Sequence, residues 1–403
     1  MPLAFNDQKY MEEALELARR GIALASPNPC VGAVIVAEDG TVVGRGSHTY
    51  EGLKHAEMLA LEEASERARG ATVYLNLEPC SHTGRTGPCA DALIAAGVKR
   101  VVAAMRDPNP LVAGEGFVKL RAAGIQVEEG LLQEEARKLN EAFAKYIRLG
   151  KPFVTLKTAM TLDGKIAPPP LETVLPGEPP FAAASGGWIT SPTARDHVQL
   201  MRHASDAILV GVGTIIADDP LLTDRSGLPR RRPLLRVILD SRLRLPVESR
   251  VVKTAHDDVL VFCGLAEENK RQELESHGVR VVQVALHPAM EDGTIPFPDG
   301  GPNGRPDLVR VLEKLGAEGI TSLLIEGGAM VNWAVLAAGI VDKVFFFYAP
   351  KILAGSGSIP FALGAGYQRL SDAAYVQNVT LHRFGEDFAV EGYLRDVYGG
   401  SGG

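Results

Sequence analysis

The sequence has no apolar run approaching the roughly 18 residues that cross a membrane. Met1 to Asp7 also lacks a basic stretch followed by an apolar core. No membrane association is expected, and the chain reads as cytoplasmic. Cysteine is scarce, with four in 403 residues, which excludes a disulfide framework and points to a reducing compartment. An excess of positive charge is missing too. The net charge of -7 argues against a general nucleic-acid binder, which needs a basic surface to displace counterions from phosphates, and favours a small free substrate. There is no Gly-x-Gly-x-x-Gly fingerprint, so a Rossmann dinucleotide domain is not expected. No internal repeat links the two halves.

What remains is an ordinary globular composition, 46% apolar and 23% charged, in a chain long enough for two or three cores. Helical spacing over Tyr10 to Ala23 leads into strands at Val31 to Ala37 and Thr41 to Gly46. A helix from His55 to Ala68, a strand from Ala71 to Leu77, a helix from Cys89 to Ala96 and a strand from Val98 to Met105 continue the alternation. That pattern predicts an α/β layer. After a polar, connecting helical stretch the pattern restarts at Phe153, with strands at Ala207 to Val210, Leu235 to Leu239, Val259 to Cys263, Val279 to Val284, Ser322 to Ile325 and Lys343 to Tyr348. Two α/β domains are expected, 1–147 and 151–398. The proline-dense segment 168–180 reads as a surface loop, and Gly399 to Gly403 as a frayed tail.

The most informative residues are His55, Glu57, Cys80 and Cys89. One imidazole and two thiolates supply three zinc ligands and leave the fourth tetrahedral position for water. Zinc lowers the pKa of such a water to about 7, and Glu57, two residues from His55, can carry protons without binding metal. This is the arrangement of the zinc deaminases, although eight residues, Ser81 to Pro88, separate cysteines that are usually two apart. Placing ligands at helix starts would help to hold the thiolates ionised. Two blander readings compete: two buried cysteines beside a helical histidine, and a structural four-ligand site completed by Cys30.

The second half is less explicit. Ile325-Glu326-Gly327-Gly328 and Gly211-Val212-Gly213-Thr214 both join a strand to a helix through glycines, which suits either a phosphate or a tight turn. Asp240-Ser241-Arg242 ends a strand where a hydroxyl and a guanidinium can grip a phosphate, or simply form a solvated turn. Arg202 and Arg225 are further candidates for a phosphorylated substrate.

Taken together, these residues resemble a known family, the bifunctional riboflavin-biosynthesis deaminase/reductases of bacteria. The resemblance rests on Pro27-Asn28-Pro29, His55-Ala56-Glu57, the block Leu77 to Arg85 with Pro88-Cys89, Asp107-Pro108-Asn109-Pro110 and Val112-Ala113-Gly114. In the second half it rests on Leu162-Asp163-Gly164-Lys165, Trp188-Ile189-Thr190-Ser191, Ala217-Asp218-Asp219-Pro220, Asp240-Ser241 and Glu326-Gly327-Gly328. It implies a three-layer cytidine-deaminase-like domain followed by a dihydrofolate-reductase-like α/β domain, with zinc and NADPH as cofactors. It also implies two reactions on a small phosphorylated pyrimidine: hydrolytic removal of an amino group, then reduction of the ribosyl side chain to ribityl. Asn28, His48, Arg85, Asp107 and Asn109 are implied to hold the deaminase substrate. Ala159, which stands where the family often has glycine, Trp188, Thr214, Asp218, Ser241 and Gly328 are implied at NADPH. Gly186, Arg202, Leu222, Arg225 and Glu326 are implied at the reductase substrate. A homo-oligomer is expected. The competing function is a nucleobase, nucleoside or tRNA deaminase with an appended nucleotide-sensing domain.

Overall fold

Two glycines set the layering of the first half. A Cβ on Gly32 would lie 2.0 Å from the carbonyl oxygen of Ala14, and one on Gly46 would lie 1.9 Å from that of Ala56. Only glycine lets a helix backbone approach a strand so closely. Gly32 belongs to β1 (Gly32–Val36) and Gly46 to β2 (Val42–Ser47). Because Gly46 pairs with Ala33, the neighbour of Gly32, the two glycines face opposite sides of the sheet. Helix α1 (Phe5–Arg19) therefore covers one face and α2 (Ala56–Ala64) the other. The computed structural model from which these distances come describes residues 5–82, 87–169, 188–285 and 305–399.

The first unit comprises residues 1–150 together with Pro229–Arg232. Its remaining elements are β3 (Thr72–Leu75), α3 (Cys89–Ala96), β4 (Arg100–Ala103), α4 (Glu115–Ala122), β5 (Gln126–Glu129) and α5 (Gln133–Leu149). The sheet order is β2-β1-β3-β4-β5, with β1 antiparallel to both neighbours and β3, β4 and β5 parallel. Helix α1 begins and ends earlier than its apolar spacing predicts. Residues after Arg19 wind into turns closed by Gly21 N–H to Ala18 (2.9 Å) and Ala25 N–H to Gly21 (2.7 Å), and Ala23 sits at φ 60, a left-handed backbone that a helix cannot continue through. The polar stretch α5 is more than a connector, since Ala136, Asn140 and Ala144 lie buried along one of its faces. Pro229–Arg232, which the sequence reading gave to the second domain, belongs here: Arg231 N–H donates to Ala23 O at 2.9 Å, and its guanidinium lies 4.2 Å from the Tyr50 ring centre.

The second unit holds β6 (Phe153–Thr161), β7 (Lys165–Ala167), α6 (Pro192–His203), β8 (Ala207–Gly211), α7 (Val212–Asp218), β9 (Leu235–Leu239), α8 (Arg250–Lys253), β10 (Val259–Cys263), α9 (Glu268–Ser276) and β11 (Val279–Gln283). It continues with α10 (Leu308–Ala317), β12 (Ser322–Ile325), α11 (Ala329–Ala337), β13 (Lys343–Ala349), β14 (Ile359–Pro360), β15 (Gln377–Phe384) and β16 (Asp387–Tyr393). The main sheet runs β11-β10-β9-β8-β12-β6-β13-β16-β15. It is parallel from β11 to β13, and a C-terminal hairpin adds two antiparallel strands. Both faces of the parallel part are covered: Ala207 and Leu209 enter one apolar cluster while Ile208 and Val210 enter the other. That double burial explains the unbroken apolar runs of these strands. The surface loop read from the proline-dense segment lies outside the described residues from residue 170 onward, as does the frayed tail read at the end from residue 400.

Two candidate active sites

His55 is the N-cap of α2 and Cys89 the first residue of α3, whereas Cys80 lies in the turn that follows β3. The placement of ligands at helix starts thus holds for two of the three. Their ligand atoms all lie within 4.8 Å of one another, with His55 Nδ1 3.2 Å from Cys89 Sγ and 3.5 Å from Cys80 Sγ. Cys30 is not part of this cluster, so the four-ligand structural reading finds no support. The backbone N–H of Cys89 donates to Cys80 Sγ at 3.3 Å. The Cys80 thiol is pulled down by the hydrogen bond from the Cys89 side chain, and then by the His55 ring and the Cys89 N–H, against the opposing effect of burial. Cys89, facing that thiolate, is pushed the other way.

Glu57 sits in the first turn of α2, buried, and its carboxyl rises to about 6, chiefly through burial, with the Cys80 thiolate adding to the effect. Its Oε2 has no hydrogen-bond partner. A buried carboxylate oxygen without a partner is costly unless a ligand or water completes it. The donor set fits zinc, whose affinity for one imidazole and two thiolates is high and whose fourth position is left for water. The orphaned oxygen of Glu57 fits a proton carrier for that water.

Beside the cluster, Asn28 Nδ2 lies 3.0 Å from His48 Nε2, and His48 Nδ1 lies 2.9 Å from the Lys54 carbonyl. The carbonyl can only accept, so the His48 hydrogen is on Nδ1 and Nε2 accepts from Asn28. Burial lowers the His48 pKa, which keeps that tautomer neutral, and its ring stands edge-on to His55 with centroids 5.4 Å apart. Asp107 rises to about 6 through burial, opposed by the Asn109 N–H and reinforced by the charge of Glu78. The Asn109 N–H donates to Asp107 Oδ1 at 2.8 Å, so these two residues form one turn. Arg85 lies outside the described residues.

Three residues of this unit escaped the sequence reading. Glu78, adjacent to the Pro79-Cys80 turn, accepts from the N–H groups of Asp107 (3.1 Å), Gly114 (2.9 Å), Gly116 (2.9 Å) and Phe117 (3.4 Å). It thereby ties the Asp107 loop to the metal ligands. Asn76 and Asn140 both hydrogen-bond Cys30. An asparagine inside the periodic helix α5, where its intrinsic propensity is poor, was the only available signal for Asn140.

In the second unit, residues from four neighbouring strands gather at one sheet edge. Ala159 lies on β6, Thr214 follows β8, Ser241 follows β9, and Glu326 to Gly328 follow β12. The C-terminal edge of parallel strands is where α/β sheets bind ligands. Gly328 caps α11, and a Cβ placed on it would be 3.6 Å from Thr214 Oγ1, so two of the residues implied at NADPH meet. The glycine-started helix and this hydroxyl suit a pyrophosphate. Asp218, at the end of α7, is shifted upward by burial. Ser241 uses its carbonyl to accept from Gly264 and Leu265 N–H at 3.2 and 3.1 Å, which leaves its hydroxyl outside that contact. Trp188 is 70% exposed, with Arg195 5.0 Å over its ring.

Arg202 and Glu326 form one ion pair, with Nε to Oε1 at 2.7 Å and Nη2 to Oε2 at 3.1 Å, while Lys157 Nζ lies 3.4 Å from Oε2. Burial pushes the Glu326 carboxyl up, but Lys157 and Arg202 outweigh it and hold it at about 2. Lys157 was not anticipated, although a lone charged residue within this strand was the visible signal. Arg225 lies on the surface, its N–H bonded to Gln199 at 2.9 Å. Leu222 is 3% exposed and packs in the apolar core at φ 56, so its side chain is committed to packing and only its backbone is left for substrate. Gly186 lies outside the described residues.

Residues 5–105 match the cytidine and deoxycytidylate deaminase zinc-binding region, and residues 152–390 match the RibD C-terminal domain. The chain is 40% identical over 384 residues to the riboflavin biosynthesis protein RibD of Aquifex aeolicus, covering 95% of this chain and 97% of that protein. It is 40% identical over 392 residues to the protein of the same name from Escherichia coli, covering 94% and 97%. Among solved structures, RibD of Acinetobacter baumannii superposes with a TM-score of 0.78 at 35% identity, covering 96% and 98%. A diaminohydroxyphosphoribosylaminopyrimidine deaminase/5-amino-6-(5-phosphoribosylamino)uracil reductase of Thermotoga maritima superposes with a TM-score of 0.75 at 36% identity, again covering 96% and 98%.

Proposed function

Because the chain belongs to the RibD family of riboflavin-biosynthesis proteins, we propose that its two sites divide the two reactions between the units and that the residues placed above carry them. It is a bifunctional, zinc-dependent deaminase and NADPH-dependent reductase. Its substrate is a 2,5-diamino-6-ribosylamino-pyrimidinone 5′-phosphate, deaminated on the ring and then reduced from ribosyl to ribityl. The observation that carries the reading is the convergence of His55, Cys80 and Cys89 beside the orphaned Oε2 of Glu57.

When bound, zinc supplies an acidified water and charge stabilisation at the reacting carbon. Glu57, with its free Oε2, would take a proton from the attacking water, place it on the ring, and carry a second to the departing ammonia. The Asn28–His48 pair and the Asp107–Asn109 turn orient the ring, and Arg85 the phosphate. In the second unit NADPH supplies the hydride. The Gly328–Thr214 contact is assigned to the cofactor together with Ala159, Trp188, Asp218 and Ser241, and Arg202, paired with Glu326, is assigned to the substrate together with Gly186, Arg225 and the backbone at Leu222.

A coupled assay that reads ammonia and NADPH separately tests the division. Both signals are expected, in that order, and ammonia release from free cytosine, adenine nucleosides or tRNA in place of this substrate would favour the competing deaminase reading. Cofactor choice is a second test. Ser241 and Arg242 follow β9 at the sheet edge, where they read the 2′-phosphate of NADPH by charge-assisted hydrogen bonds worth about 1.5 to 3 kcal/mol. The double change to alanine is expected to raise the KM for NADPH about ten- to a hundredfold and that for NADH far less. Equal losses would place the phosphate elsewhere.

None of the four cysteines is joined in a disulfide, which suits a reducing cytoplasm, and among the described residues no helix is long and apolar enough to cross a membrane. Homo-oligomerisation fits β15, the terminal strand of the main sheet, whose Val379 and Leu381 are exposed along with nearby Leu370 and Tyr375. Among the described residues no strand pairs with its outer edge, and an edge that carries exposed apolar side chains invites a second strand. A monomeric mass by light scattering would contradict this assignment.

A further inference from the structure

The Pro27-Asn28-Pro29 loop has little means of holding itself. Two of its three residues lack a backbone N–H, and the third, Asn28, donates its own to Ala25 at 2.9 Å. The next residue, Cys30, is gripped from outside. Asn140 Oδ1 accepts the Cys30 N–H at 2.8 Å and Asn140 Nδ2 donates to the Cys30 carbonyl at 3.1 Å. Asn76 Nδ2 donates to the same carbonyl at 2.9 Å, and Asn76 Oδ1 accepts the Gly32 N–H at 2.8 Å. Both carboxamides are buried, Asn140 at 2% exposure and Asn76 at 0%. A carboxamide that meets both the N–H and the carbonyl of a single residue fixes that peptide in position and rotation, as a strand partner would.

Asn140 meets that demand at a local cost. Its backbone is non-helical, at φ -111 and ψ 16, in the middle of α5. The departure falls at the residue whose side chain turns inward to Cys30. Two residues before Cys30, the Asn28 amide reaches His48 Nε2, whose ring adjoins the metal ligand His55. The connection thus runs from α5, through the Cys30 peptide, to a side chain at the zinc site.

We propose that Asn140 is a positioning residue for deamination: by clamping Cys30 it sets Asn28 against His48, so that α5 belongs to the deaminase site. This rests on the reading that Asn28 and His48 hold the deaminase substrate. The two hydrogen bonds to Cys30 act at a distance of two residues from Asn28, so their loss is expected to appear in substrate affinity more than in the proton transfers of Glu57.

The test uses the full chain loaded with zinc, the phosphorylated diaminopyrimidinone as substrate, and ammonia release as the rate. Asn140→Ala and Asn140→Leu are expected to raise KM about tenfold, the order of one neutral hydrogen bond, with kcat changed by less than about threefold and zinc content unchanged. NADPH oxidation on previously deaminated substrate is expected to stay at the wild-type rate. Asn140→Asp keeps the acceptor for the Cys30 N–H and loses the donor, and is expected to fall between the wild type and Asn140→Ala. This variant also decides the matter should the alanine and leucine variants fold poorly, since a wild-type KM for it would overturn the proposal. A purely structural Asn140 would instead lower the active fraction at constant KM, which overturns it equally. Asn28→Ala separates the two ideas. If it leaves KM unchanged, the reading of Asn28 as a substrate residue fails, and the clamp fails with it. If Asn28→Ala raises KM but the Asn140→Ala effect persists in full on that background, Asn140 does not act through Asn28 and the clamp alone fails. Loss of the Asn140 effect in the double variant supports it.

Discussion

Glu57→Gln is expected to keep its zinc and to lose deamination by about a hundred- to ten-thousandfold, the span typical of a positioned general acid-base group. The glutamine keeps the size and the hydrogen-bonding reach of the side chain but cannot take up a proton. Because Glu57 is not one of the three grouped ligand residues, elemental analysis should return one zinc per chain. Cys80→Ser and Cys89→Ser are the matching controls and should lower the metal content, since serine is a poor zinc ligand at neutral pH. NADPH oxidation on previously deaminated substrate should be unaffected in all three. Near-normal ammonia release by Glu57→Gln would remove the residue from the mechanism, and full zinc in both serine variants would remove the cysteines from the ligand set.

Arg202→Leu is expected to destabilise the second unit by about 3 to 5 kcal/mol and to abolish reduction while ammonia release continues. The magnitude follows from leaving a buried carboxylate with half its charge compensation. Glu326 keeps only Lys157, at 3.4 Å, once the two contacts at 2.7 and 3.1 Å are gone. The pH dependence has a definite sign. Glu326 titrates at about 2 in the folded chain against an ordinary value of 4.5, so its contribution is fully present above about pH 4.5 and is lost as pH falls toward 2. Without Arg202 the folded value should rise, and the variant's deficit should therefore be largest near neutrality and shrink in acid. Urea unfolding at several pH values, followed by a probe in the second unit, measures this. A deficit that is constant with pH would mean that packing of the arginine stem, and not its charge, is what was lost.

The zinc site was legible before any coordinates because metal chemistry restricts residue type more severely than packing does. Few combinations other than His55, Glu57, Cys80 and Cys89 present one imidazole, two thiolates and a carboxylate together, and the unusual spacing of the cysteines did not obscure this. The parallel strands of the second unit were equally visible, since strands buried on both faces are written as apolar runs. The C-terminal hairpin was not. Strand β15 is mostly exposed along its length, so its short alternation at Val379 and Leu381 marks no buried face, and its pairing with β16 is a matter of backbone hydrogen bonds that side-chain pattern does not report.

Leu222 shows a different limit. Its motif position implied substrate contact, but its side chain is in the core, because a residue can be required for its backbone path while its side chain serves packing. Pro229–Arg232 shows another: chain order alone assigned it to the second domain, whereas its hydrogen bonds assign it to the first unit.

The sequence by itself singled out the proposed metal ligands and proton carrier and determined the family with its two kinds of α/β unit, all of which depend on which residue types occur and in what order. Only the tertiary structure decided how those residues are held: Asn140 clamping Cys30 from more than a hundred positions away, Glu78 gathering the amides of the Asp107 loop, and Lys157 joining the pair of Arg202 and Glu326. These are short-range interactions between residues distant in the chain. Hydrogen bonds and buried ion pairs depend on separations of about 3 Å, and no periodicity or local motif encodes a distance across the fold.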